Sequence, residues 1–194
     1  NIMKPNQTLN ELCGRIFSKF DIILDEYKPD IVLVHGDTST SSICALASFH
    51  RGVKVAHVEA GLRTYNKFSP FPEELNRQIT GKIADFHFAP TTTSEHNLLS
   101  ENVSKESILV TGNTVIDSLL WTVEKLKNGY TNDKINAIKS VVDFSKKIIL
   151  VTGHRRENFG QGFRNLCEAL LEVSERDDVV IVYPVHLNPN VKDV

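Results

Sequence analysis

The fold of this chain is decided by the stretch Asp30-Ile31-Val32-Leu33-Val34-His35, which runs directly into Gly36-Asp37-Thr38. A continuous apolar run of this length is typical of a β-strand that is covered on both faces. The next residues, Thr40 to His50, have the pattern of a helix that ends at Arg51-Gly52, and Lys54 to Val58 form a second strand. A strand, a helix and a strand at this spacing indicate a βαβ unit in a mostly parallel sheet.

The same alternation continues along the chain. Further strands are predicted at Asp85–Ala89 and Ser107–Thr111, and a helix follows Gly112-Asn113 and extends to Lys127. A polar stretch rich in Lys, Asn and Asp then interrupts the pattern. Beyond it the alternation restarts with a strand, a helix and a strand at Lys147–Val151, Gly162–Ser174 and Val179–Tyr183.

This interruption predicts two α/β domains. We assign residues 1–124 to part of a first domain, residues 125–146 to a linker with helical character, and residues 147–194 to the start of a second domain. We therefore expect the strand near 148–151 to lie in a different sheet from the strands near 31–35 and 54–58.

The composition excludes several classes of protein. The 194 residues include 24% charged and 41% hydrophobic side chains with a formal net charge of −2, the balance of an ordinary globular protein. This balance gives no reason to bind nucleic acid or a membrane surface, and the apolar runs are too short to cross a bilayer. Three widely separated cysteines without a CxxC pair argue against a disulfide framework or a zinc site and favour a reducing cytoplasm.

Ionisable residues follow the predicted strands, at the edge where open parallel sheets bind their ligands. Asp37 follows the first strand, where it either caps the next helix or belongs to a site. Glu59 follows the second strand, and an enclosed carboxylate there needs a partner, for which Arg63 is the structural alternative to a functional role. Glu73 and Glu74 open a helix, where capping alone would explain them, and Arg77 lies one turn after Glu73 and is able to pair with it.

Other candidates have a weaker signal. His57 and His87 lie inside strands and are expected to be core histidines. The stretch Gly153-His154-Arg155-Arg156 follows a strand, and its glycine and arginines suit an anion such as phosphate. It matches neither a P-loop nor a GxGxxG turn.

Six motifs in a fixed order are far more specific than any single residue. They are His-Gly-Asp-Thr, His-Val-Glu-Ala-Gly-Leu-Arg-Thr, Pro-Phe-Pro-Glu-Glu-Leu-Asn-Arg, Thr-Gly-Asn-Thr-Val-Ile-Asp, Gly-His-Arg-Arg-Glu-Asn and Tyr-Pro-Val-His-Leu-Asn-Pro-Asn. Together they resemble the non-hydrolysing UDP-N-acetylglucosamine 2-epimerases from Asp30 to Val191. The resemblance implies two Rossmann-like domains of glycosyltransferase-B type, both incomplete in this chain.

The resemblance also implies a reaction and its residues. Family members interconvert UDP-N-acetylglucosamine and UDP-N-acetylmannosamine by eliminating UDP to give 2-acetamidoglucal and adding it back from the other face. By motif match Asp37, Glu59, Glu73 and His154 are catalytic, without a decision as to which carboxylate removes the C2 proton. Arg77, Arg155 and His186 match substrate-binding positions, with Arg77 orienting Glu73, and the last two are implicated in binding UDP-N-acetylglucosamine as an activator.

The expected partners and setting follow from the same resemblance. We expect a cytoplasmic homodimeric enzyme in the full-length protein, without a cofactor or metal ion, that serves the synthesis of cell-surface polysaccharide. The family's basic loop before Asp30 and its uridine-binding segment are absent from the 194 residues. We therefore expect an internal piece of a longer enzyme, inactive by itself and with apolar sheet surface exposed. Two alternatives remain, namely a hydrolysing relative that releases UDP and an inactive chain that only binds the sugar nucleotide.

Overall fold

The computed structural model describes residues 2–152 and 160–185, in which helices alternate with parallel β-strands. The helices are Leu9–Tyr27 (α1), Ser39–His50 (α2), Glu73–Ile83 (α3), Thr92–Ser100 (α4), Thr114–Lys127 (α5), Asp133–Val141 (α6) and Gln161–Ser174 (α7). The strands are Ile31–His35 (β1), Lys54–Val58 (β2), Phe86–Ala89 (β3), Ile108–Val110 (β4), Lys147–Leu150 (β5) and Val179–Val182 (β6). Each predicted strand is therefore present, and its bounds are within one residue of the prediction.

The strands form two separate parallel sheets. The first has the order β1-β2-β3-β4, and the second pairs β5 with β6. This confirms the prediction that the strand near 148–151 lies in a different sheet from the first two strands. The chain also divides into two compact units, Asn1–Trp121 and Thr122–Val194.

Helix α1 is an element that we did not predict from the sequence. Thr8 and Glu11 form a capping box at its start, in which Glu11 N donates to Thr8 Oγ1 over 3.2 Å and Thr8 N donates to Glu11 Oε2 over 2.7 Å. The signal was present in the sequence, because a threonine followed three residues later by a glutamate marks a helix start.

One face of the four-stranded sheet carries the core of the first unit. Val34 and Val55 are buried there with Ala45 of α2, in one apolar cluster. Ala89 and Ile108 are buried with Leu98 of α4 in another cluster. The helices on this face hold the strands in place and so fix the positions of the loops that follow them.

The opposite face of the same sheet is open. Leu33, Phe86 and Leu109 are 62%, 41% and 59% exposed. Leu33 pairs with Ala56, which pairs with Phe86, so these side chains lie on the same face of the sheet. The expected exposure of apolar sheet surface is confirmed for the described residues.

The second unit contains its own parallel strand pair. Phe163 of α7 and Val179 of β6 are buried within it. Helix α6 lies inside the stretch 125–146, where we expected a linker with helical character. In the part of the chain that the structure describes, no helix combines the length and the apolar character needed to cross a membrane.

Candidate active site

The turn after β1 presents Asp37 at the carboxyl edge of the sheet. Gly36 adopts a left-handed conformation with φ of 70° and donates its N–H to the carbonyl of Val58 over 3.0 Å, which joins the ends of β1 and β2. Thr38 caps α2, because its Oγ1 accepts from the N–H of Ser41 over 3.2 Å. The cap is therefore Thr38 rather than Asp37, which leaves the Asp37 side chain available for another role.

Arg77 holds the carboxylate of Asp37. Its Nη2 donates to Asp37 Oδ2 over 2.7 Å, and the amide Nδ2 of the neighbouring Asn76 donates to the Asp37 carbonyl over 2.9 Å. The expected pairing of Arg77 with Glu73 is wrong, since Arg77 pairs with Asp37 and lies 3.5 Å from Glu74. The side chain of Asp37 remains 27% exposed, so this carboxylate is fixed in position and still accessible.

Glu59 follows β2 and has an unusual backbone conformation. Its φ is 68°, in the left-handed region that residues with a Cβ atom seldom adopt. A Cβ atom placed on Gly36 would lie 3.2 Å from Glu59 Oε2, so the Glu59 carboxylate rests against the turn that carries Asp37. The side chain is 27% exposed, and its Oε2 lies 3.9 Å from Nε2 of His35. Strained backbone at the end of a strand is frequent at functional sites.

Arg63 does not pair with Glu59, although the sequence allowed it. Its guanidinium is fully buried and donates to both carboxylate oxygens of Glu101 over 2.6 and 2.8 Å. Gly81 leaves room for the Arg63 guanidinium, because a Cβ atom at this position would lie only 3.0 Å from Arg63 Nη2. The guanidinium also holds the pKa of the Glu101 carboxyl below its ordinary value, mainly through these hydrogen bonds. Glu59 therefore keeps its carboxylate free of the nearest arginine in sequence.

Glu73 and Glu74 are neighbours at the start of α3, but they have different surroundings. Glu74 is fully buried and accepts hydrogen bonds from the N–H groups of Thr64 and Tyr65 and from Gln78. Burial opposes its charge, yet these hydrogen bonds and Arg77 hold the pKa of Glu74 below its ordinary value. Glu73 is only partly buried, and within the described residues its side chain makes no hydrogen bond or ion pair.

Two histidines lie side by side beneath this edge. His57 and His87 pair across β2 and β3, and both are buried, as expected for core histidines. His57 Nε2 donates to the carbonyl of Gly36 over 2.9 Å, in the turn that carries Asp37. Burial lowers the pKa of His57 to about 4 and also lowers the pKa of His87. Both rings are therefore neutral at physiological pH and act as packing and hydrogen-bonding groups.

Three predicted site residues lie outside the described residues, namely His154, Arg155 and His186. Within residues 2–152 and 160–185, no group of three or more His, Cys, Asp or Glu side chains is arranged to hold a metal ion. The other four predicted site residues, Asp37, Glu59, Glu73 and Arg77, lie within the described residues.

These strand-end carboxylates occur in a sequence that matches a known family throughout. The family model described as UDP-N-acetylglucosamine 2-epimerase matches residues 1–194. The chain belongs to the UDP-N-acetylglucosamine 2-epimerase family. The family was therefore assigned correctly from the six ordered motifs.

Several curated relatives in this family are similar to this chain over about half of their own length. The UDP-N-acetylglucosamine 2-epimerase of Campylobacter jejuni is 53% identical over 198 residues, which cover 99% of this chain and 51% of the relative. That of Escherichia coli K12 is 51% identical over 195 residues, which cover 100% of this chain and 52% of the relative. The chain thus spans about half the length of the curated relatives that it matches.

Solved structures of 2-epimerases have the same fold. The Neisseria meningitidis UDP-GlcNAc 2-epimerase bound to UDP-GlcNAc is similar with a TM-score of 0.94 and 46% identity, covering 100% of this chain and 52% of that one. The Methanocaldococcus jannaschii enzyme in complex with UDP-GlcNAc and UDP is similar with a TM-score of 0.81 and 36% identity, covering 100% and 51%. The α/β fold with parallel sheets is therefore that of the 2-epimerases.

Around the predicted site residues the structure shows supporting contacts that sequence reasoning did not assign. Asn76 and Glu74 hold Asp37 and the 64–65 backbone, and Glu101 holds Arg63. Glu74 was recognised only as an acid at a helix start, because dipole and capping effects explain such an acid fully. The sequence signal that was available is the Glu73-Glu74 pair itself, since successive helix residues face different sides.

Proposed function

We propose that the protein that contains this chain interconverts UDP-N-acetylglucosamine and UDP-N-acetylmannosamine. The proposal is supported by the family membership and by the relatives that bear this enzyme's name. The observation that carries it is the position of Glu59. Its carboxylate rests against Gly36, directly beside Asp37, at the edge of the sheet where ligands bind.

The reaction begins with an elimination. A carboxylate takes the C2 proton, the C1–oxygen bond breaks, and UDP leaves with the electron pair, which gives 2-acetamidoglucal with a double bond between C1 and C2. A UDP oxygen then adds back to C1 while a proton is delivered to C2 from the opposite face. This sequence needs one group to accept a proton and one to donate it, on the two faces of the sugar.

We assign the proton transfers to Asp37, Glu59 and Glu73, together with His154. Asp37 and Glu59 are partly exposed and are held by neighbouring strand ends, which favours a fixed geometry around a sugar. Arg77 donates to Asp37 and so keeps one carboxylate oriented. A group held in place before the reaction avoids reorganisation during the proton transfer.

We assign binding of the substrate to Arg77, Arg155 and His186, and the diphosphate to the vicinity of His154. We further propose that Arg155 and His186 bind a second UDP-N-acetylglucosamine as an activator. The proposed protein has two Rossmann-like domains of glycosyltransferase-B type, to which residues 1–124 and 147–194 contribute, and is a homodimer. Three free cysteines support a reducing compartment such as the cytoplasm, where the product would supply cell-surface polysaccharide.

Deuterium incorporation tests the reaction directly. The whole protein that contains these 194 residues is incubated with UDP-N-acetylglucosamine in deuterated water, and the sugar nucleotides are analysed by NMR. We expect deuterium at C2 and an equilibrium mixture of the two epimers. Net release of UDP with free N-acetylmannosamine would identify a hydrolysing relative instead. Binding of the nucleotide sugar without exchange at C2 would refute the proposed catalysis.

A further inference from the structure

The first turn of α3 carries two adjacent carboxylates with opposite surroundings. The side chain of Glu73 is partly exposed and has no hydrogen-bond partner in the described chain, whereas that of Glu74 is fully buried and accepts from three donors. A buried carboxylate destabilises the fold unless its oxygens accept hydrogen bonds, so the buried position of Glu74 depends on these three donors. The proposed reaction assigns a role to Glu73 and none to Glu74.

The carboxylate of Glu74 occupies a cradle of backbone N–H groups. The N–H of Thr64 donates to its Oε2 over 3.0 Å, and the N–H of Tyr65 donates to its Oε1 over 3.1 Å. Tyr65 is in the left-handed conformation with φ of 58°, and successive N–H groups around such a residue form an anion-binding concavity. The Glu74 carboxylate fills this concavity and fixes the end of the loop that begins at Glu59.

The same loop is anchored along its length. Ala60 N donates to the carbonyl of Phe88 over 3.0 Å, and Asn97 Nδ2 donates to the carbonyl of Gly61 over 2.9 Å. A Cβ atom on Gly61 would lie only 2.2 Å from the carbonyl oxygen of Ser94, so the loop packs directly on α4. Glu74 is the anchor that connects this loop to α3, the helix that carries Glu73.

Glu74 is also linked to the third carboxylate of the site. Its Oε2 lies 3.5 Å from Nη1 of Arg77, whose Nη2 donates to Asp37 over 2.7 Å. The Glu74 side chain therefore contacts the loop of Glu59, lies next to Glu73 in the chain, and reaches Asp37 through a single arginine.

We propose that Glu74 is a positioning residue that sets the geometry of the three carboxylates Asp37, Glu59 and Glu73. The inference rests on the proposed function for the part that concerns catalysis. Its ionised form accepts the two loop N–H groups and attracts Arg77, and a neutral side chain of the same shape can do only part of this. Displacement of a reacting group by about 1 Å is enough to lower a rate about 100-fold.

The charged groups around Glu74 define what its replacement changes. Arg77 lies on the same helix as Glu74, and Asp37 follows β1. Glu101, the partner of Arg63, interacts electrostatically with Glu74. Glu74→Gln removes one negative charge from this group and replaces an acceptor oxygen by an NH2 group. A carboxylate that loses a like-charged neighbour ionises at lower pH, so the acid limb of the pH–rate profile should move to lower pH.

The test combines a structural and a kinetic measurement on the whole protein. Amide hydrogen exchange is measured for residues 60–65 in the wild type, Glu74→Gln and Glu74→Asp, and kcat, KM and the pH profile are measured for UDP-N-acetylglucosamine. For Glu74→Gln we expect faster exchange at Thr64 and Tyr65, a kcat lowered about 10- to 100-fold with KM nearly unchanged, and an acid limb at lower pH. Glu74→Asp keeps the charge but is shorter, so it should lose the amide protection and keep the acid limb of the wild type.

Glu101→Gln is the matched control, because it also removes the charge of a glutamate that accepts hydrogen bonds and interacts electrostatically with Glu74. We expect it to lower stability without moving the acid limb. Unchanged amide protection and wild-type kcat in Glu74→Gln would overturn the proposal, as would equal shifts of the acid limb in Glu74→Gln and Glu101→Gln. If Glu74→Gln does not fold, full amide protection with wild-type kcat in Glu74→Asp would overturn it. A wild-type protein without exchange at C2 would refute the proposed function, and the amide exchange would still decide whether Glu74 holds the loop.

Discussion

Two arginine clusters pair with carboxylates in the first unit, but their surroundings differ. Arg63 donates to both oxygens of Glu101 and to the carbonyl of Leu62, and its side chain is fully buried. Arg77 is divided between the fully buried Glu74 and the partly exposed Asp37. An arginine that donates to both oxygens of one carboxylate, as Arg63 does, stabilises the fold. An arginine that lies between two carboxylates, as Arg77 does, also orients a carboxylate that remains accessible to a ligand.

The difference between the clusters depends on the second partner. The described partners of Arg63 are Glu101, which follows α4, and the carbonyl of Leu62, so this cluster holds the loop after β2 against the end of α4. Arg77 lies between the fully buried Glu74 and Asp37, which is 27% exposed at the carboxyl edge of the sheet. Its Nε is a buried atom without a hydrogen-bond partner among the described residues. We infer that loss of the Arg63 cluster chiefly affects stability and that loss of the Arg77 cluster chiefly affects activity.

The largest effect is expected for Glu101→Gln. This substitution keeps the volume of the side chain but leaves the buried guanidinium of Arg63 without a carboxylate. Removing one partner of a buried ion pair costs about 3–5 kcal/mol, so we expect a loss of about 3 kcal/mol or more in the free energy of unfolding. Urea denaturation followed by circular dichroism measures it.

Glu95→Gln is the matched control for this prediction. Glu95 lies in α4, the helix that Glu101 directly follows, and its partner Lys105 is 62% exposed whereas Arg63 is fully buried. Exposed pairs contribute about 1 kcal/mol or less, so this variant should remain close to the wild type. Equal losses in the two variants would show that the Arg63 cluster has no special role in stability.

The next largest effect is expected in activity, at the open side of the Arg77 cluster. Asp37→Asn should lower the turnover of the whole protein about 100-fold or more, as the loss of a proton-transfer group does. Its free energy of unfolding should change less than in Glu101→Gln, because Arg77 still has the carboxylate of Glu74 beside it. Glu59→Gln and Glu73→Gln should have kinetic effects of the same size. Asp21→Asn is the control with normal turnover, because Asp21 lies on α1 in an exposed pair with Arg51. Wild-type turnover in Asp37→Asn would remove Asp37 from the mechanism.

A smaller effect is expected in the dependence of the free energy of unfolding on pH. It distinguishes the contribution of the buried histidines from that of the ion pairs. Burial lowers the pKa of His57 from 6.5 to about 4. Between these values the unfolded chain binds a proton that the folded chain does not, so the free energy of unfolding falls as the pH is lowered. For His57 alone the loss between about pH 7.5 and pH 5 is about 2 kcal/mol.

Urea denaturation as a function of pH measures this loss. The carboxylates Glu74 and Glu101 have lowered pKa values and stay ionised throughout this window, so both arginine clusters remain intact. His57→Gln should therefore flatten the dependence on pH, while His96→Gln, at an exposed position on α4, should preserve it. A dependence on pH that His57→Gln leaves unaltered would assign it to other groups.

The smallest effect is expected at two matching helix caps. Thr38 and Thr91 each accept a hydrogen bond from the N–H three residues later, over 3.2 and 3.1 Å. Replacement of either threonine by alanine should cost about 1 kcal/mol in the free energy of unfolding. Thr38 adjoins Asp37, so we expect only Thr38→Ala also to lower turnover. A loss of turnover in Thr91→Ala as well would show that stability, and not the position beside Asp37, controls the activity.

The sequence by itself determined the strands and most helices of this chain, because apolar runs and helix-ending residues are local signals. The bounds of β1 and β2 followed from their apolar runs, and six ordered motifs were sufficient for the family. Asp37 and Glu59 became candidates because polar residues at the ends of parallel strands occupy the edge where ligands bind, whereas Glu73 became one only through the motif match. Helix α1 was not predicted, although Thr8 and Glu11 carry the sequence pattern of a capping box.

Only the tertiary structure decided which charged groups pair. Sequence spacing suggested Arg63 with Glu59 and Arg77 with Glu73, but Arg63 pairs with Glu101 and Arg77 pairs with Asp37, about 40 residues away in each case. The physical reason is that a long side chain reaches whichever partner the packed strands and helices bring near it, and that proximity is set by the whole sheet. The burial of Glu74 has the same origin, because the N–H groups that satisfy it come from a loop that only the complete fold places beside α3.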